Sequence, residues 1–314
     1  MSVIKQVFGI DVSKDSFEVR FGTITDRQEE RFVAAASFPN ARRGFLRLLA
    51  WAKKQLVSHE APVWFVMEAT GIYYEQVAYF LAEHQQQTVV LLPNKVKNFA
   101  KTLDNKSKTD GLDARTLCQF GLERPLIPWQ PPSPQMRALK ALTREYHTVQ
   151  QMATRVKNQL HAKDHSYEPS QETLTRLRAQ LRLFQKQLKS IQQQIRSLVD
   201  RDDDLNNRIN NIISAKGIGF MTVVTTVAET NGFALITSAK QLSSYAGLDV
   251  VIKQSGKRQG KPAISKKGNK HLRRAVFMPA LAACRYNPPL KAFYLRLVRT
   301  KANKKVALLA VARK

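Results

Sequence analysis

The chain is poor in cysteine, with two in 314 residues, and Cys118 and Cys284 stand far apart with no ligand-like spacing. That excludes a disulfide framework and argues against a zinc site. No apolar run approaches the length of a membrane span, and the opening MSVIKQVFGI has no signal-peptide pattern. A cytoplasmic protein that spans no membrane is the expectation. Acidic residues are also scarce. There are 24 against 51 Lys and Arg, a formal net charge of +27, and beyond Asp249 there is none at all while 18 Lys and Arg follow. So large a one-signed charge repels itself unless an anion neutralises it. Nucleic acid is the leading partner and a membrane surface the second.

Hydrophobic residues make up 43% of the chain, enough for a sizeable core. KQVFGIDVS, DSFEVRFGTI and RQEERFVAAASF alternate as three strands joined by tight polar turns. ARRGFLRLLAWAKKQLV is a helix behind Asn40, VWFVMEA a buried strand, GIYYEQVAYFLAEHQ a helix, QTVVLLP a strand ending at Pro93, and DGLDARTLCQFGLE a helix starting near Asp110. Three strands followed by helix, strand, helix, strand and helix is an α/β layout with a mixed sheet, the order of the ribonuclease-H-like fold by analogy. LIPWQPPSPQ breaks the pattern, so 1–125 reads as the first domain.

Two long helices with apolar residues in steps of three and four follow, reversed at KDHSYEPS. Residues 126–203 thus read as a Pro-rich linker and a coiled-coil hairpin, pairing with itself, with another subunit, or both. Residues 204–314 read as an all-α domain broken by a Gly- and Lys-rich loop at 248–268.

Two constellations carry chemistry. Asp11 and Glu68 end apolar strands, and Asp110 and Asp113 share one face of a helix. Four converging carboxylates would hold Mg²⁺ (or Mn²⁺), the hard cations that oxygen ligands favour and that stabilise both oxygens of a reacting phosphodiester. Taken singly, each acid has a plainer role as an ion-pair partner, turn residue or helix cap. The second constellation is KQSGKRQGKPAISKKGNKHLRR, whose Lys253, Lys257, Arg258, Lys261, Lys266, Lys267, Lys270, Arg273 and Arg274 suit phosphate contact. Ser255 and Ser265 are equal candidates for a nucleophile there, or simply loop serines. Gly217-Ile218-Gly219 between two apolar helices has the shape of a helix-hairpin-helix turn, or merely ends a helix.

GIDVSKDSFEV, VMEATGIYYE, KSKTDGLDARTL, GIGFMTVV, SSYAGL and QSGKRQGKPAISKKGNKHLRRAVFMPA, in that order over nearly the whole chain, resemble the DEDD transposases of the insertion sequence one-ten family, which includes the Piv-type DNA invertases. The final segment is most similar to the IS-eleven-eleven-like branch. The resemblance implies a RuvC-like first domain in which Asp11, Glu68, Asp110 and Asp113 match the metal-binding acids. It also implies a C-terminal transposase domain in which Ser255 matches the serine that attacks DNA phosphate, and so favours Ser255 over Ser265. It further implies composite sites between subunits of a homo-oligomer, dimer or tetramer, held through the hairpin. Donor and target DNA and a structured guide RNA are the implied partners. Lys216 departs from the family's frequent Pro before the Gly-x-Gly turn, and relatives usually run a helix or so past the position of Lys314. Two other readings compatible with the residues are a metal-dependent nuclease or junction resolvase without a covalent intermediate, and a non-catalytic nucleic-acid-binding protein.

Overall fold

The computed structural model describes every residue except 104–109, 235, 253, 256–257, 261–262 and 301–302, and leaves out the side chains of Asp110, Ser255, Arg258 and Gln259. The chain forms two compact units, Met1–Pro131 and Pro132–Lys314. The first is an α/β unit with a mixed sheet, and the second is mostly helical.

In the first unit, β1 (Val3–Val12), β2 (Ser16–Thr25) and β3 (Glu30–Pro39) form an antiparallel meander. Then come α1 (Arg42–Gln55), β4 (Val63–Glu68), α2 (Tyr74–Glu83), β5 (Thr88–Leu91), α3 (Pro93–Ala100) and α4 (Asp110–Glu123). The sheet order is β3-β2-β1-β4-β5, with β4 parallel to both β1 and β5. Helix α3 lies where only a strand end at Pro93 is expected from sequence. Proline at the first helical position has its φ already set and lacks only an N–H that would go unpaired there.

Strand alternation sorts the core onto the two faces of the sheet. Phe8, Ile10, Phe17, Phe21, Phe65 and Met67 pack with Phe45 and Leu48 of α1 and Val77 and Leu81 of α2. Val7, Val66, Val89 and Leu91 face the other way, against Leu117, Cys118 and Leu122 of α4. The Pro-rich stretch still belongs to this unit: Trp129 N–H donates to the Thr88 carbonyl at 2.7 Å, and its ring meets Tyr79 edge-on.

The second unit begins with α5 (Pro134–Asp164) and α6 (Gln171–Asp200), capped by Ser133 and Ser170. The helices run antiparallel. Gln135 near the start of α5 donates to the Leu198 carbonyl near the end of α6, while Arg178 pairs with Asp164 at the turn. Next come α7 (Asp203–Ile213), α8 (Phe220–Glu229) and α9 (Ala239–Tyr245). Leu139 and Val149 of α5, Ile191, Ile195 and Val199 of α6, Leu205 and Ile209 of α7, and Val223, Val224 and Val227 of α8 close into one core.

The 248–268 segment, read from sequence as a loop, carries four two-residue strands: β6 (Val250–Val251), β7 (Gln254–Ser255), β8 (Arg258–Gln259) and β9 (Ala263–Ile264). β6 pairs with β9 and β7 with β8, both antiparallel. Polar, glycine-rich composition hides so short a ladder from any periodicity test. The chain continues through α10 (Lys270–Ala275), α11 (Phe277–Tyr286), α12 (Pro288–Thr300) and α13 (Lys304–Arg313). Among the described residues, no helix is long and apolar enough to cross a membrane.

Candidate catalytic carboxylates and nucleic-acid interface

Asp11 and Glu68 lie at the same end of two neighbouring inner strands, β1 and β4. The parallel register sets Ile10 against Met67, so the next residues, Asp11 and Glu68, end the two strands side by side. Asp11 shares its face with Val7 and Gly9, and Glu68 with Val66, which is the face that α4 covers. Both acids are half-buried, and Glu68 accepts a 2.9 Å hydrogen bond from the Thr70 hydroxyl.

Helix α4 lies antiparallel to β1, and its contacts give the register. The Lys5 ammonium donates to the carbonyls of Gly121, Leu122 and Arg124 at 2.9–3.1 Å, a cation on a helix C-terminus, and burial lowers its pKa. Further along, the Cys118 thiol donates to the Val7 carbonyl at 3.3 Å. A Cβ on Gly9 would sit 2.2 Å from Cys118 N and 2.3 Å from Ala114 O, so strand and helix touch backbone to backbone there. Two strand residues advance about 6.6 Å and four helical residues about 6 Å. Continuing one step brings the first turn of α4, Asp110 to Asp113, to the level of Asp11. Asp113 is half-buried, and the Asp110 side chain lies outside the described residues. Among the described residues, no three His, Cys, Asp or Glu side chains stand close enough to hold a metal ion.

Of the basic segment, Lys253, Lys257 and Lys261 lie outside the described residues, as do the side chains of Ser255 and Arg258. Lys266, Lys267, Lys270 and Arg274 are exposed. Arg273 is turned inward and donates to the Ala246 carbonyl at 2.7 Å. Ser265 N–H donates to the Asp249 carbonyl, and Lys266, at φ +54°, to that of Gly247. Gly217 takes φ +102° with α11 backbone 3.1 Å from where its Cβ would be, and Gly219 is the residue that opens α8. The turn therefore needs glycine at 217 for conformation and for packing alike.

Sequence reasoning missed a buried polar cluster in the second unit. Glu229, at the end of α8, is the one charged residue that is buried among the described residues. Arg144 of α5 grips it with two hydrogen bonds, 2.7 and 3.0 Å, and Asn269 adds a third at 2.7 Å. The Tyr245 hydroxyl donates to its backbone carbonyl at 3.1 Å. Burial pushes Glu229 up, but the Arg144 and Asn269 bonds outweigh it and hold its pKa below the usual value. Burial lowers His147 and His271 beside it, and Arg144's charge adds to the effect on His271. The only trace in the sequence is a lone acid closing an apolar helix.

Residues 8–167 match a family described as Transposase, of the DEDD IS110 type, and residues 209–295 match the one described as Transposase IS116/IS110/IS902 family. The chain is similar to the pilin gene-inverting protein of Moraxella lacunata, 29% identical over 99% of this chain and 93% of that protein. It is likewise similar to the pilin gene-inverting protein of Moraxella bovis, 28% identical over the same shares. Together these define the class, an enzyme of DNA recombination. The chain belongs to the IS110 family of transposases, whose DEDD type implies a divalent-metal requirement.

Proposed function

We propose that the chain cleaves and rejoins DNA through a serine–phosphate intermediate, with Asp11, Glu68, Asp110 and Asp113 as the metal-binding acids and Ser255 as the nucleophile. The observation that carries this reading is the side-by-side ending of β1 and β4 on the face that α4 covers. The strand order β3-β2-β1-β4-β5 also supports a RuvC-like unit. Hard oxygen donors at neighbouring strand ends fit Mg²⁺ or Mn²⁺. When bound, the ions would polarise the phosphate and stabilise the departing 3′ oxygen.

The chain's own groups do the rest. Ser255 Oγ bonds to phosphorus as the P–O3′ bond breaks, the hydroxyl proton passes to solvent, and the 3′ oxygen leaves to become a hydroxyl. Attack by a new 3′ hydroxyl on the phosphoserine reverses the exchange and conserves the bond without an external energy source. Lys253, Lys257, Arg258, Lys261, Lys266, Lys267, Lys270 and Arg274 hold phosphates, with Gly217 and Gly219 presenting backbone N–H groups to another. Donor and target DNA are the substrates, a structured RNA guides the choice of site, and subunits pair through the α5–α6 hairpin as a coiled coil, each completing another's site.

The test is a supercoiled plasmid carrying the chain's gene with its flanking DNA, incubated with Mg²⁺ or Mn²⁺. Ser255→Ala should bind DNA but form no covalent adduct, and Asp11→Ala should neither cleave nor form one. Cleavage surviving Ser255→Ala would show water as the attacking group. Sequencing the RNA that co-purifies from the host tests the guide.

A further inference from the structure

The hairpin that bears Ser255 is rooted in a small set of contacts. Its two ends meet where Ser265 donates to Asp249, Lys266 to Gly247, and Asn269 N–H to the Tyr245 carbonyl at 2.7 Å. Gly247 and Gly268 pass so closely that a Cβ on Gly268 would lie 2.5 Å from the Tyr245 carbonyl oxygen. Asn269 is the hub of this root. Its Oδ1 caps α10 by accepting from His271 and Leu272 N–H at 2.9 and 3.1 Å, while its Nδ2 donates to Glu229. Glu229 in turn is locked to Arg144 on the long helix α5, and its backbone carbonyl holds the Tyr245 hydroxyl. Elements distant in sequence, α5, α9 and the start of α10, thus converge on one residue of α8, Glu229, two through its carboxylate and α9 through its backbone carbonyl.

A buried carboxylate is a poor device for stability, because desolvation offsets most of what its partners return, and apolar replacements of such pairs are often neutral or better. What it does well is fix direction: a bidentate arginine and a third donor leave the carboxylate one orientation.

We propose that Glu229 is a positioning residue for the recombination reaction, its carboxylate tying Asn269 to Arg144 and so aiming the serine-bearing hairpin from its root. The proposal rests on Ser255 being the nucleophile, and one arm of its test does not. Asn269→Asp keeps a good helix cap but replaces the Nδ2 donor with a second carboxylate facing Glu229. Glu229→Gln keeps the shape but sets an amide nitrogen against Arg144 Nη2 and Asn269 Nδ2, the two donors that share Oε2. The double variant Glu229→Gln with Asn269→Asp restores the bond between 229 and 269 in reversed order and the same total charge, but leaves Arg144 only its Nε bond to the amide oxygen.

The full-length chain, with each variant held well below its own melting temperature, is examined in two ways. In hydrogen–deuterium exchange, each single variant should speed exchange about tenfold or more at the amides of 248–269 and leave α6 and α7 unchanged, and the double variant should reverse part of that gain. In the plasmid assay, adduct formation at saturating DNA should fall about tenfold or more in each single variant with DNA affinity within about twofold, and recover in part in the double. Unchanged exchange at 248–269 overturns the proposal, and so does a general acceleration across the second unit, which would make Glu229 an ordinary core group. A wild-type chain that forms no adduct refutes the serine reading alone, and the exchange arm still decides whether Glu229 holds the hairpin's root.

Discussion

Gly9→Ala probes both the packing of the first unit and the proposed metal site. The added Cβ would lie 2.2 Å from Cys118 N, 2.3 Å from Ala114 O and 2.7 Å from Cys118 Cα. All three are backbone or Cα atoms of α4, so no side-chain rotation relieves them. Ordinary contact begins near 3.4 Å, so helix and strand must part by about 1.2 Å. Overpacking of that kind costs about 1–3 kcal/mol, and the upper end applies because two elements move as bodies. For a unit of this size that is a fall in melting temperature of roughly 8–12 °C. In the proposed metal site, the same movement shifts the first turn of α4, with Asp113, relative to Asp11 and Glu68. A misplacement of about 1 Å at a reacting centre costs on the order of a hundredfold in rate. Scanning calorimetry of the full chain reads the first effect, and the initial rate of plasmid cleavage under conditions where the variant stays folded reads the second. Gly111→Ala is the control. It lies on the same helix with nothing within 4 Å of its Cβ position, and it should raise stability by up to about 1 kcal/mol. A Gly9→Ala chain that melts within a degree of the parent, or melts early yet cleaves at the parental rate once folded, would refute the placement of α4 or its bearing on the acids.

Three further outcomes follow from the geometry. Unfolded, His147 and His271 take up protons near 6.5, whereas folded they do so only at lower pH, so the second unit loses stability as pH falls through and below 6.5. A second loss begins below about 4.5, where the unfolded Glu229 protonates while the folded one, with its lowered pKa, does not. Melting curves against pH check this, and a His147→Asn, His271→Asn chain should lack the first step. Replacing exposed Lys266, Lys267 and Lys270 with Gln should reduce the salt slope of binding to a mixed-sequence duplex by roughly 0.9 for each phosphate that is no longer neutralised, while an unchanged slope would take those lysines out of the interface. The Cys118 thiol, pushed up to about 12 by burial, should react with iodoacetamide at pH 8 at least ~1000-fold more slowly than an unfolded cysteine, as mass spectrometry of native and denatured chains would report.

The local patterns were legible because their causes are local. Alternation in KQVFGIDVS and DSFEVRFGTI and the apolar run before Glu68 depend on neighbours in the chain and predict their elements directly. So does the charge: no arrangement of residues hides an acid-free C-terminal stretch with 18 cations. The motifs in sequence order were enough to recognise the family. The element that carries each acid was legible too, but which of those elements lie side by side was not. That Asp11 and Glu68 end side by side comes from the parallel register of β1 and β4, set across some fifty intervening residues by which faces bury Phe8 with Phe65 and Val7 with Val66. That Arg273 turns inward while Arg274 stays exposed depends on a carbonyl 27 residues away. Glu229 shows the divide most clearly. In sequence it is an ordinary acid closing an apolar helix, and its partners Arg144 and Asn269 lie 85 and 40 residues off. A charge can stay buried only where distant donors converge on it, and that convergence is a property of the folded chain alone.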